Sequence, residues 1–495
     1  MLKKSLFLAV TLLGLARCTD NFEEINTNPN DPVNVDAAYL MSSVIVNTAY
    51  NLTEENVGGV MGIPSRYVTR VIHNGDDTYR WDSESWGFAF NNLINNEDLL
   101  RQARAEEDTH LEAIGLIMKG YLFGILTDTF GDVPFETAFG AGEENYTSAY
   151  SRQEDIYQAI LGYFDRANTL LQEDGRLSLY AAFDPMFEGD VLQWRKLANS
   201  LHLRYLLRIS QKDEKTFDTI QMILNNNDRY PLILSNEDNA FLPYLGVRKT
   251  DSSPLGSYDG DFYDRRPSKV FVDFLLERND PRLPVWVRPV ANPEAGTVDN
   301  NEYVGLPLAI FGATNYNGTT NHLNYESSNY SEFSSVFHDD SNPLFNAVVF
   351  PACETYFILA ELVEIHKLNY DGASARELYL EGIRTSMSQY QVDAEAEATG
   401  YYTQSLVAYN GSLEQILAQK WVSMLFVGGS ETWFDHRRTG YPVFPFGDLS
   451  IRDEIPYRMP YPSDEASYNA ENYDQAIEDQ GWSDDSNYEK MWLLK

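Results

Sequence analysis

The chain has 495 residues, of which 43% are hydrophobic, so it is long enough for a sizeable core and has the composition of a globular protein. Its 74 acidic residues against 37 lysines and arginines give a formal net charge of -37. This charge repels phosphate backbones and anionic lipid surfaces and argues against nucleic acid as a partner, although it also simply favours solubility.

The first seventeen residues differ in composition from the rest of the chain. Lys3 and Lys4 precede an apolar run at residues 6–13. The run is too short for a comfortable membrane span, and the pattern is typical of a secretory signal. We therefore predict that residues 1–17 are a signal peptide and exclude them from the fold.

Cys18 stands where a bacterial lipoprotein signal places its lipidated cysteine. We predict that it is the lipidation site, although Arg17 replaces the small residue expected before it. An incidental cysteine in an ordinary signal is the alternative. If Cys18 is acylated, Cys353 has no disulfide partner in the chain, and its apolar sequence context predicts a buried free thiol.

Residues 18–36 are polar, acidic and rich in turn-forming residues, which predicts a tether between a lipid anchor and a folded body. Apolar residues at helical spacing begin at Ala37, and we predict one mainly α-helical domain over residues 37–495. Periodicity fades at about residues 230–346, where we expect a loop-rich insertion with short strands or helical turns. The clearest helical patterns cover residues 111–125, 153–171, 194–209, 354–363, 373–390 and 413–425, with a last short helix at 469–480.

A loop at residues 73–86 places three large aromatic residues among Asn, Asp and Gly. Such rings can stack on the apolar C–H face of a pyranose, while amides and carboxylates bind its hydroxyl groups. We therefore predict a ligand-binding surface that includes Asn74, Tyr79, Trp81 and Trp86. The alternative, for each ring taken singly, is that it fills the core.

Asn and Tyr residues are paired repeatedly in the insertion, and long loops in compact proteins usually serve binding. We predict that Tyr316, Asn317, Tyr325 and Tyr330 extend the same ligand-binding surface. Residues 258–264 mimic part of a calcium loop but lack its full spacing and terminal glutamate. A solvated turn is the better interpretation there, and no metal site is predicted.

Residues 412–442 combine a clear helix with a dense polar and aromatic loop. Ser412 and Gln415 have the spacing of a capping box, and Gly428 and Gly429 end the helical run. The polar and aromatic segment that follows is either a structural clamp or a site.

Five arginines are conspicuous in so acidic a chain. Arg195, Arg204 and Arg208 lie on one predicted helix, and Arg437 and Arg438 lie in the polar segment of residues 412–442. Arginines between packed helices usually pair with internal carboxylates, so we predict structural ion pairs for them rather than contacts with an anionic ligand.

The sequence contains no phosphate-binding loop, dinucleotide glycine fingerprint, serine elbow or HExxH zinc helix. Its seven histidines include no pair at metal-ligand spacing. A glycosidase with paired carboxylates stays open, because 74 acidic residues make candidate pairs unavoidable. The pattern favours binding over catalysis, and we predict no catalytic residue and no cofactor.

Several segments together resemble the SusD/RagB-like outer-membrane lipoproteins of the Bacteroidetes. The resemblance implies a mainly α, SusD-like fold in which tetratricopeptide-type helical hairpins support a loop-rich ligand-binding face. It also implies a lipid-anchored protein of the cell surface, bound to the outer membrane. The matching segments follow the family's order and are residues 22–29, 131–135, 197–204, 354–361, 419–421, 433–442 and 455–462.

The function implied by this resemblance is capture of an oligosaccharide and its delivery to a SusC-like TonB-dependent transporter. A peptide ligand for the same kind of transporter is the alternative, and a surface glycoside hydrolase is a third. Ligand-binding residues vary in this family, so the shared segments indicate scaffold. That argument favours a structural clamp at residues 412–442.

Overall fold

The computed structural model describes residues 35–73, 75–81, 83, 85–139, 147–172, 180–248, 251–256, 264–323, 327–339 and 342–495. Over these residues the protein is mainly α-helical, with strands of two to four residues. This agrees with the predicted fold class. The predicted signal peptide and nearly all of the predicted tether lie outside the described residues.

The first half of the described chain is a series of helices in which each packs on its neighbours. Aspartates begin three of them, because the side chains of Asp36, Asp108 and Asp190 accept hydrogen bonds from backbone N–H groups of the first turn. The helices are α1 Ala37–Gly58, α2 Gly87–Ala105, α3 Thr109–Phe130, α4 Gln153–Leu170, α5 Val191–Ile209 and α6 Thr216–Leu224.

Helix α3 is the centre of this series. Among the described residues it is the one helix long and apolar enough to cross a membrane, and 94% of its most apolar window is buried inside the protein. It contacts α2, α4 and α5. Its apolar surface is therefore covered by other helices, as in the core helix of a helical bundle.

The predicted helical hairpin is present in the second half. Helix α9 (Ala352–Glu364) packs along α10 (Ala375–Gln389), and Ser374 with Glu377 forms a complete capping box at the start of α10. Helix α12 (Leu413–Ser423) packs against both. Shorter helices in this part of the chain are α11 Asp393–Ala398, α14 Glu465–Tyr468 and α15 Ala470–Asp479.

The predicted insertion at about residues 230–346 contains loops, short elements and two helices that the periodicity did not show, α7 Lys269–Glu277 and α8 Leu283–Trp286. The described strands form three antiparallel pairs. They are β1 Val68–Arg70 with β5 Arg265–Pro267, β4 Ala240–Leu242 with β6 Ala347–Phe350, and β2 Val133–Pro134 with β3 Tyr150–Ser151. The pair of β4 and β6 closes the insertion near its two ends.

The segment after Gly428, predicted as a loop, is helix α13 (Gly429–Thr439), so that prediction is wrong. Its charges suit the helix dipole, since Glu431 lies in the first turn and three basic residues lie in the last. Gly440, with φ 80°, then ends the helix in the left-handed conformation. At the start of the preceding helix, the Ser412 side chain accepts from the N–H of Gln415 as expected. The Gln415 side chain accepts from the N–H of Asn410 instead of that of Ser412, so the capping box is incomplete.

Buried ion pairs connect α3, α5, α9 and α13. Arg204 donates to Glu354 at 2.8 Å and lies 3.4 Å from Glu431, while Arg208 pairs with both Asp128 and Glu431. All five side chains are at most 8% exposed. The predicted internal pairing of Arg204 and Arg208 is confirmed. Arg195 donates to the amide oxygen of Asn168 at 2.9 Å.

The two arginines of α13 differ from each other. Arg438 makes two hydrogen bonds to Glu361, at 2.5 and 2.9 Å, and one to Asp435 at 3.1 Å, so its predicted pairing is confirmed. Among the described residues no carboxylate lies within ion-pair distance of Arg437. Arg437 instead donates to the backbone carbonyls of Asp128 and Tyr457, which corrects the prediction.

Cys353 is a buried free thiol at the start of α9, as predicted. Burial raises the pKa of its thiol to about 12, because the thiolate would be poorly solvated there. This cysteine is therefore a packing residue.

Candidate ligand-binding face

Pairing of β1 with β5 places residues 71–73 beside the insertion. A small apolar cluster forms there, separate from the main core, and Tyr316 packs against it. We call the surface above this cluster, formed by residues 71–73, 296–319 and 327–331, the loop face. The buried members of the cluster are Val71, Val290, Val304, Leu306, Ala313 and Tyr330.

Tyr79 and Trp81 belong to the main core. Their exposed fractions are 1% and 6%, and their rings meet edge to face at 5.4 Å. Trp81 also packs against Trp433 of α13 at 5.8 Å. Rings in this position offer no free face to a sugar, so the structure favours the core-filling alternative for both.

Trp86 is half-buried at the start of α2. Its ring packs against Phe130 at 5.0 Å and Tyr461 at 5.7 Å, and its Nε1 donates to Glu465 at 3.2 Å. The adjacent cavity measures about 90 Å³, below the roughly 300 Å³ at which ligand sites begin. Trp86 thus lies in an aromatic cluster apart from the loop face.

Asn317 and Tyr330 are buried beneath the loop face. The amide of Asn317 accepts from the N–H groups of Val298 and Asp299, at 2.8 and 2.9 Å, and donates to the carbonyl of Asn329 at 2.8 Å. Asn317 therefore joins separate loops of the insertion. The ring of Tyr330 is fully buried.

Tyr316 is half-buried and retains an accessible part on the loop face. Burial raises the pKa of its phenol, and the nearby charge of Lys269 opposes that shift. Of the predicted aromatic residues that the structure describes, Tyr316 is the one placed at this surface. Asn74, Tyr325 and Cys18 lie outside the described residues.

His73 is a surface residue that the sequence did not single out. Its Nδ1 lies 2.9 Å from the carboxylate of Asp264, which Arg70 approaches to 3.5 Å, while 66% of the His73 side chain is exposed. Asp264 is the last residue of the calcium-like segment, and its carboxylate also accepts from the N–H of His73. Over the described parts of the chain, no three potential metal ligands are grouped.

An open cleft of about 770 Å³ adjoins the loop face through Ile310, which also packs on the apolar cluster. Its volume lies within the range of small-ligand sites. Helix α7, residues 307–310 and residues 443–448 form its walls, and we call it the α7 cleft. Two aromatic rings, charged side chains and aliphatic side chains form its lining, which is Lys269, Val270, Asp273, Phe274, Glu277, Arg278, Pro307, Leu308, Ile310, Val443, Pro445, Phe446, Gly447 and Asp448.

A second open cleft, of about 680 Å³, lies between α10 and residues 234–241. Its lining is mainly amides, hydroxyls and charges, and it includes Phe241 and Tyr402 as its aromatic residues. The ring of Tyr402 is buried beneath Arg384, whose guanidinium lies 5.0 Å from it. An arginine also covers a ring of the α7 cleft, since the guanidinium of Arg278 lies 3.6 Å from the ring centre of Phe274. The α7 cleft has a second half-buried ring in Phe446.

A family model described as "Starch-binding associating with outer membrane" matches residues 29–462. The chain belongs to the SusD-like family. The match covers most of the chain, and it confirms the resemblance drawn from the short motifs. This SusD-like protein is therefore a member of a nutrient-binding family associated with the outer membrane.

Solved structures share the fold of this SusD-like protein. A SusD homologue from Bacteroides fragilis is 24% identical, with a TM-score of 0.77, over 93% of this chain and 100% of that one. A chitin-binding SusD homologue from Flavobacterium johnsoniae is 20% identical, with a TM-score of 0.75, over 93% and 99%. The search of curated proteins gave no match. The predicted SusD-like fold is confirmed.

The motifs that carry the SusD-like resemblance coincide with the buried charges. Arg204 lies in the motif of residues 197–204, Glu354 begins that of 354–361, and Arg438 lies in that of 433–442. These residues are buried partners in the ion pairs between helices. The shared motifs therefore describe the scaffold and leave the ligand undefined.

Proposed function

We propose that this SusD-like protein is a nutrient-binding lipoprotein of the cell surface, anchored in the outer membrane through Cys18. It captures an oligosaccharide and delivers it to a SusC-like TonB-dependent transporter. The observation that carries this proposal is the family match over residues 29–462, whose description is starch-binding. The chitin-binding relative with the same fold supports a glycan over a peptide.

We propose the α7 cleft and the adjoining Tyr316 as the sugar-binding site. Phe274 and Phe446 line the cleft, and Tyr316 packs on the same apolar cluster as Ile310 of the cleft. Aromatic rings bind the C–H faces of sugars, and charged side chains such as Asp273 bind hydroxyl groups. The cleft thus offers both kinds of contact within one volume. Binding requires no bond to be made or broken, so we propose no catalytic residue.

Replacing Tyr316 with alanine is expected to weaken oligosaccharide binding by about 1 kcal/mol, roughly fivefold, because one stacking ring is lost. Isothermal titration with maltoheptaose and chitohexaose measures this change. Tyr468→Ala is the matched control, since that ring is 79% exposed and lies outside the cleft. Equal affinities of Tyr316→Ala and the unmodified protein would remove Tyr316 from the site.

Replacing Cys18 with alanine is expected to move the protein from the membrane fraction to the soluble fraction, because the lipid chains are its proposed anchor. Fractionation of cells followed by immunoblotting measures the distribution. Cys353→Ala is the control and should stay in the membrane fraction, since this thiol is buried in the core. Retention of Cys18→Ala in washed membranes would contradict lipid anchoring at this residue.

A further inference from the structure

Arg66 is a fully buried arginine with no hydrogen-bond partner for Nε, Nη1 or Nη2 among the described residues. A buried guanidinium normally finds a carboxylate or several carbonyl groups, because burying its charge without them is costly. Arg266, Arg282 and Arg458 are also fully buried, and each donates at least one hydrogen bond.

Two aromatic rings flank this guanidinium. Its carbon lies 4.9 Å from the ring centre of Tyr79 and 5.2 Å from that of Phe446. Such contacts stabilise a cation, but they leave its five N–H donors available. A charged neighbour is Asp77, whose Oδ2 accepts from Thr69 at 2.9 Å and whose Oδ1 has no partner among the described residues. Burial raises the pKa of this carboxyl, and the charge of Arg66 opposes that shift.

Two buried hydroxyl groups near Arg66 also lack a partner within the described parts of the chain. They belong to Tyr79 and Tyr488. The guanidinium of Arg66 lies 4.9 Å from the ring centre of Tyr79. Burial raises the pKa of both phenols, and the charge of Arg66 opposes the shift in each. Two unpartnered hydroxyl groups beside one unpartnered guanidinium are suited to bind an acceptor of negative charge.

Phe446 connects this site with the α7 cleft. Its half-buried ring lines the cleft, and the guanidinium carbon of Arg66 lies 5.2 Å from the ring centre. Arg66 is fully buried and does not line the cleft, so contact with a ligand in the cleft requires the Phe446 side chain to rotate.

We propose that Arg66 binds a carboxylate of the ligand in the α7 cleft, so that the substrate class is acidic oligosaccharides containing uronic acid. This inference rests on the proposed glycan-binding function. A carboxylate at C6 of a sugar can take a bidentate contact from the guanidinium, while the sugar ring remains beside Phe446. The net charge of -37 opposes a distant anion, but screening limits that repulsion to about 8 Å at physiological salt.

Isothermal titration of the full chain in non-ionic detergent tests this site. The probes are matched trisaccharides of α-1,4-linked glucose and of α-1,4-linked galactose, each in neutral form and with C6 oxidised to the carboxylate. The unmodified protein is expected to bind one oxidised sugar at least about tenfold more tightly than its neutral counterpart, the gain typical of a charge-assisted hydrogen bond. Arg66→Met should lower the affinity for the oxidised sugar to that for the neutral one.

Arg452→Met is the matched control, because Arg452 is exposed and also stacks on Tyr488, at 4.2 Å. This substitution removes one positive charge close to the site, and the variant should keep the tenfold preference for the oxidised sugar. Arg66→Lys should keep part of it, which separates loss of the charge from loss of the fold. The melting temperature of the unmodified protein should also rise more with the oxidised sugar, a readout that needs no variant.

Equal binding of the neutral and oxidised sugars by the unmodified protein would overturn this inference while leaving the proposed function intact. A preference that persists in Arg66→Met would overturn it as well. Absence of binding by any of the four sugars, together with no binding of maltoheptaose or chitohexaose, would contradict the proposed function itself.

Discussion

Replacing Glu431 with glutamine is expected to lower the free energy of unfolding by about 3 kcal/mol. Glu431 pairs with both Arg204 and Arg208, and all three side chains are at most 8% exposed. Glutamine keeps the shape but removes the charge, so two buried guanidinium groups lose part of their compensation. Denaturant unfolding followed by tryptophan fluorescence measures the change, because Trp433 lies two residues away in the same helix.

The control for this prediction is Glu154→Gln, at the exposed pair of Arg152 and Glu154. Exposed pairs contribute about 0–1 kcal/mol, so this variant should be nearly neutral. Similar effects of the two substitutions would show that the buried charges do not hold the helices together.

The loss of stability in Glu431→Gln has a defined pH dependence. Burial alone would raise the pKa of Glu431, but the charges of Arg204, Arg208 and Lys420 hold it below its ordinary value of 4.5. A carboxylate with a lowered folded-state pKa stabilises the protein above the unfolded-state value, and this contribution is lost as the pH falls through the folded-state pKa. The difference in stability between the unmodified protein and Glu431→Gln should therefore shrink in acid.

Replacing Arg438 with methionine is expected to destabilise the protein by about 3 kcal/mol without changing ligand affinity. Arg438 compensates Glu361 and Asp435, both buried, and holds α13 to α9. Burial raises the pKa of Glu361, but the charge of Arg438 and hydrogen bonds from His366 and Arg438 together hold it below its ordinary value, as in a stabilising pair.

Arg437→Met is the matched comparison for this prediction. Arg437 donates to backbone carbonyls and stacks on Trp433 at 4.4 Å, so its loss leaves no carboxylate unpaired and should cost less, about 1–2 kcal/mol. Melting temperature and sugar affinity are measured for both variants. A loss of affinity in Arg438→Met at unchanged melting temperature would turn the proposed clamp into part of the binding site.

Several helices could be predicted because their apolar residues recur at helical spacing. Helix α5 and the hairpin of α9 and α10 are examples, and the cap of α12 is explicit in the sequence. Helix α13 was missed because its buried face includes Glu431 and Asp435. A helix whose buried side is charged has no apolar stripe, and only its tertiary partners explain it.

The ligand-binding residues were harder to predict, because a sequence shows which rings are present and not which way they face. Trp81 and Tyr316 both lie among Asn, Asp and Gly, yet one packs on Trp433 in the core and the other reaches the loop face. The contact of Arg66 with Phe446 joins distant parts of the chain. No local sequence pattern predicts such a contact, so the α7 cleft could only be found from the fold.

Isothermal titration of the full chain with a panel of neutral and acidic oligosaccharides, and with a peptide library in parallel, tests the proposed glycan binding by this SusD-like protein most directly. We expect binding of at least one oligosaccharide, weakened by Tyr316→Ala and unaffected by Tyr468→Ala. Binding of peptides together with no binding of any oligosaccharide would contradict the proposed glycan binding.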